Sequence, residues 1–105
     1  MPKPILSSRA DEPDAADQIE GFLVSLSERV DDLQDAEFKG DRDALSALAK
    51  TLGGTALELG FDLLAASTSE LVRCCQSDSE ERVRETLLDL TEIAMRVRMG
   101  HRGSV

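Results

Sequence analysis

The sequence predicts an all-α protein, an antiparallel four-helix bundle preceded by a disordered N-terminal arm. Three observations predict it. The chain has no tryptophan or tyrosine and only three phenylalanines, so its core is built from Leu, Val, Ile and Ala. That palette favours helices over strands. Apolar residues recur at three- and four-residue steps in four separate stretches, which is helical periodicity. Short segments carrying Gly, Asp or Ser separate the stretches, and short connections make successive helices antiparallel neighbours. A length of 105 residues suits one domain.

Residues 1–14 hold all three prolines with Ser7, Ser8 and several charges, the composition of a disordered arm. Asp14 is a candidate cap for the helix that follows. The first helix is expected over residues 15–38, where Ile19, Phe22, Leu23, Leu26, Val30 and Leu33 form one apolar stripe. Gly40 suits its C-terminal cap, and Asp41 or Asp43 suits the next N-cap. The second helix, over residues 43–59, turns Leu45, Leu48, Ala49, Leu52, Ala56 and Leu59 inward, and Gly60 ends it. The third covers residues 62–76 with Leu63, Leu64, Leu71 and Val72 as core. Cys74 and Cys75 fall late in it, about 100° apart around the axis, so one is expected inside and the other at an edge. Ser77, Asp78 and Ser79 make a turn and cap. The fourth helix covers residues 80–99, where Val83, Leu87, Leu90, Ala94 and Val97 step 4-3-4-3 along a bundle seam. Residues 100–105 are expected to be a flexible tail, which leaves 15–99 as the bundle.

Twelve basic and 21 acidic residues give a net charge of −9. Such a chain repels phosphate backbones and anionic lipid, so neither nucleic acid nor membrane is expected as a partner. No apolar stretch approaches the roughly 20 residues of a membrane span, and the first 14 residues lack the apolar segment of a signal peptide. The only two cysteines are adjacent, an arrangement that rarely bridges, which points to a reducing compartment and a cytoplasmic location. There is no CxxC or HxxxH spacing, and the single histidine, His101, is far from the cysteines. No metal or other cofactor is expected. His101 reads as a solvated tail residue.

One segment exceeds what a plain bundle requires. The second helix contains Lys50-Thr51-Leu52-Gly53-Gly54-Thr55, and each interior glycine costs about 1 kcal/mol relative to alanine. A glycine pair there signals a kink, a helix break, a close approach by a neighbouring helix, or a surface kept open for a partner. On the side away from the core stripe, Asp43, Ala47, Lys50, Gly54 and Leu57 project roughly together. Apart from its two charges this strip is small or apolar, which suits the approach of another backbone.

The run Lys50-Thr51-Leu52-Gly53-Gly54-Thr55-Ala56-Leu57-Glu58-Leu59-Gly60 resembles the motif around the phosphorylated histidine of histidine phosphotransfer (HPt) domains. Leu52, Gly54, Ala56, Leu59 and Gly60 match the family pattern, and the helix spacing is similar from about residue 15 to 99. The resemblance implies an HPt-like bundle that docks the receiver domain of a response regulator, or a histidine kinase. Two positions depart from the pattern. Lys50 stands where the phosphoacceptor histidine belongs, and Gly53 replaces the usual lysine three residues later. An imidazole nitrogen accepts and returns a phosphoryl group, whereas a lysine ammonium has no free lone pair. The resemblance therefore implies a divergent member without phosphotransfer activity, not an enzyme, that keeps a docking surface at Ala47, Lys50, Gly53, Gly54 and Leu57, with Gly53 widening the opening. The alternative is a structural or homodimerising helical module with no phosphorelay role, paired through the same strip.

Overall fold

Among the described residues, four helices follow one another: α1 (Pro13–Phe38), α2 (Arg42–Glu58), α3 (Asp62–Ser77) and α4 (Glu80–Gly103). The computed structural model describes residues 5–9, 11–77 and 79–103, the last four as backbone only. Each helix packs on the next, and α4 packs back on α1, closing a four-helix bundle. Gln34 Nε2 meets Thr91 Oγ1 at 3.4 Å, and Glu37 meets Arg84 at 3.5 Å. Residue numbers rise along α1 as they fall along α4, so the two run antiparallel.

The core is aliphatic, as the composition requires. Leu26, Leu33, Leu52, Leu64, Leu71 and Leu90 are fully buried, each worth about 2 kcal/mol of transfer from water. All five seam residues of α4 are buried. Four expected core residues lie further out: Ile19 and Val72 are half-buried at the rim, and Leu48 and Leu63 are exposed. Phe61, just before α3, takes the inward place expected of Leu63 and stacks on Phe22 with ring centroids 5.6 Å apart. Both Cys74 and Cys75 are buried and free, because the α3 face turned inward is wide enough to include both.

Turn chemistry sets the helix ends. Gly40 and Gly60 have φ of +72° and +82°, the left-handed conformation that side chains resist. Beyond each, the next amide reaches back into the last helical turn, Asp41 N to Ala36 O at 3.0 Å and Phe61 N to Ala56 O at 2.8 Å, closing a Schellman motif. The Asp41 carboxylate caps α2 by accepting from Ala44 N at 3.0 Å, and Ser79 Oγ accepts from Arg82 N at 3.2 Å. Asp14 does not cap α1. The helix begins one residue before it, at Pro13, where proline's missing amide is harmless, and Glu12 is the cap position without a side-chain bond.

The expected disordered arm differs in its described part. Ser7 Oγ donates to Leu59 O, Ser8 N to Gly60 O at 2.9 Å, and Arg9 Nη1 to Glu58 O at 2.6 Å. Ile5 N donates to Arg96 O at 2.9 Å. The segment thus crosses the end of the bundle and satisfies carbonyls that the C-terminus of α2 leaves open. Residues 1–4 and 10 lie outside the described residues. At the other end, α4 continues past the expected stop at Met99 to Gly103, since one glycine at position 100 is too small a penalty to end a helix. Residues 104–105 lie outside the described residues, as does the side chain of His101.

Candidate docking groove between α2 and α3

Despite its glycine pair, α2 is continuous from Arg42 to Glu58. The two glycines have different surroundings. A Cβ at Gly53 would collide with Thr68 Oγ1 and lie 3.2 Å from Thr68 Cβ. Gly53 therefore lets α3 approach closely, and it does less to widen a partner's opening than the sequence suggested. A Cβ at Gly54 would meet nothing within 4 Å, so this glycine is open to solvent. Thr68 is buried beneath Gly53, and its hydroxyl donates to Ala65 O at 2.7 Å, which satisfies it without a ligand.

Lys50, Gly53, Gly54 and Leu57 line a shallow groove of about 310 Å³ between α2 and α3. Its far wall is Ala65, Thr68, Ser69 and Val72 of α3. Ala47 is exposed but falls outside the lining. The α3 wall was not picked out in the sequence. Its signal was the run Ala65-Ala66-Ser67-Thr68-Ser69, five small residues in a helix that otherwise carries leucines.

The groove presents an apolar rim and one cation. Leu57 is 61% exposed, an apolar side chain on an open rim. Lys50 is exposed on the same rim and makes no ion pair among the described residues. No group of three or more His, Cys, Asp or Glu gathers to hold a metal among the described residues. A second depression, about 180 Å³, lies at the α1–α2 turn against the start of α4. Its Lys39 and Arg84 are already paired, with Asp35 at 3.0 Å and Glu37 at 3.5 Å, and the Asp35 carboxylate beside Lys39 raises that ammonium's pKa. Neither thiol lines either hollow. Burial pushes the Cys75 thiol up, against the opposing pull of the Arg42 guanidinium.

Among the described residues, no helix is long and apolar enough to cross a membrane. Comparison with protein-family models, curated proteins and solved structures found no match for this chain.

Proposed function

We propose that this chain is a non-phosphorylatable, HPt-like docking module of cytoplasmic two-component signalling, whose α2–α3 groove seats the receiver domain of a response regulator. The observation that carries the reading is the arrangement on one rim of α2. Gly54 is open, Leu57 is exposed, and Lys50 offers an unpaired cation where the resembling family places its histidine. A small-residue floor admits a partner's backbone, the leucine gives apolar contact, and the ammonium attracts an acidic pocket. The lysine also explains why docking there transfers no phosphoryl group.

The test is calorimetric titration of the full chain with receiver domains from the same organism. Binding at roughly micromolar Kd, abolished by Gly54→Arg and weakened by Lys50→Glu, is the expected result. Silence from every receiver at about 100 µM would sink the reading. With a phosphorylated receiver, Lys50→His should take up label while the parent chain stays unlabelled. Label on Lys50→His alone would place the receiver over α2. Pairing of two copies through the same strip, the competing reading, predicts instead that Leu57→Glu converts a dimer to a monomer.

A further inference from the structure

The seam between α1 and α4 lies across the bundle from the α2–α3 groove, and it carries a second uncovered face. On α1, Val24, Ser27, Asp31, Gln34 and Phe38 step 3-4-3-4 along the side toward α4. On α4, Arg84, Leu88, Thr91, Met95 and Arg98 step 4-3-4-3 along the side toward α1. Such spacing holds each set in one stripe. Phe38 is 88% exposed, Val24 75% and Leu88 63%, and a hollow of about 240 Å³ runs between the stripes. Exposed large apolar side chains gathered on one face of so charged a chain mark a contact surface.

We propose that a second copy of this chain covers the α1–α4 face, in a two-fold dimer that lays α1 of each protomer over α4 of the other. Register supports that occupant. The Gln34–Thr91 and Glu37–Arg84 contacts place Leu88 within about a turn of the level of Phe38, and Met95 and Arg98 within about one to two turns of the level of Asp31. A two-fold axis along the bundle keeps every level in place. It brings Phe38 onto Leu88 of the partner subunit, and Asp31 within an arginine's reach of Arg98 of the partner subunit.

Charge supports it as well. Asp31 on α1 and Arg98 on α4 both line the seam, and neither forms an ion pair among the described residues. A face with an acid on one half and a base on the other complements itself under two-fold symmetry. Size is adequate: the fold measures 41 × 28 × 19 Å between Cα atoms, so one long face has room for the roughly 800 Å² per partner of a stable interface. The α2–α3 grooves of both protomers then face outward, leaving each dimer two separate docking sites.

Sedimentation equilibrium of the full chain from about 1 to 100 µM tests this without any receiver domain, so its outcome is independent of the function proposed above. The expected mass is twice 11.4 kDa. Leu88→Glu and Phe38→Glu, both at exposed positions, should each give a monomer with unchanged helical circular dichroism. Asp31→Arg and Arg98→Asp should each weaken the dimer about tenfold, and the double charge reversal should restore it. A chain that stays monomeric at about 100 µM overturns the proposal. So does a dimer that Leu57→Glu dissociates and Leu88→Glu does not.

Discussion

Gly53 and Gly54 occupy successive positions of α2, yet a methyl group would meet Thr68 at the first and open solvent at the second. Gly54→Ala should therefore gain the ordinary helix-propensity difference, about 1 kcal/mol. At Gly53 the same gain is set against overpacking, which costs about 1–3 kcal/mol. Gly53→Ala should lower stability by about 1 kcal/mol net, and the loss should shrink once Thr68→Ala removes the obstructing hydroxyl. Urea unfolding of the parent, the three single variants and the Gly53→Ala/Thr68→Ala double measures all of these. Equal stabilisation by both alanines would show that α3 does not press on α2 at Gly53.

At the scale of elements, the C-terminus of α2 is finished by two devices. Gly60 supplies the left-handed turn, and the segment of Ser7, Ser8 and Arg9 binds three successive carbonyls, Glu58 to Gly60. The devices are coupled, because a Cβ at Gly60 would lie 2.8 Å from Ser7 Oγ and 2.9 Å from Arg9 N. Gly60→Ala should cost about 1–2 kcal/mol from backbone strain alone, and more through displacement of the arm. Hydrogen exchange separates the contributions: the Ser8 amide should lose protection in Gly60→Ala while the middle of α4 keeps its own. A protected Ser8 amide in that variant would show that the arm does not depend on the glycine. The half-exposed bridge from Glu70 to Arg82 ties α3 to α4, while Glu70–Arg73 lies within α3. Such pairs are screened by water and contribute little beside the buried leucines.

For the whole molecule, the two thiols report on opening of the bundle. Cys74 is enclosed between α3 and α4, with Sγ 3.5 Å from Thr86 Oγ1, so a reagent reaches it only after the helices separate. In native buffer both thiols should react with an aromatic disulfide at least about 10³-fold more slowly than in the unfolded chain. Rapid reaction of either would mean that α3 and α4 part without global unfolding. Burial raises the Cys75 pKa above its unfolded value. Its contribution to stability is then fully present below the unfolded pKa and is lost as pH rises through the folded value. Cys75→Ala should flatten that alkaline loss in thermal melts.

The sequence by itself determined the four helices, their order and most of the core. Apolar steps along α1, α2 and α4, together with Gly40, Asp41, Gly60 and Ser79, act within a turn or two of chain, so local physics suffices to read them. Lys50, Gly53, Gly54 and Leu57 could be selected on the same basis, since they lie on one helix. Tertiary structure decided what each of them faces. Gly53 turned toward Thr68 and Gly54 toward solvent because of where α3 lies, and α3 supplied the second wall of the groove. Contact with Phe22 placed Phe61 inside, while Leu63 was left outside. Ser7 and Arg9 are held because α2 ends in carbonyls that they reach across about 50 residues of sequence. No periodicity encodes such a contact, whose partners meet only when the helices have packed.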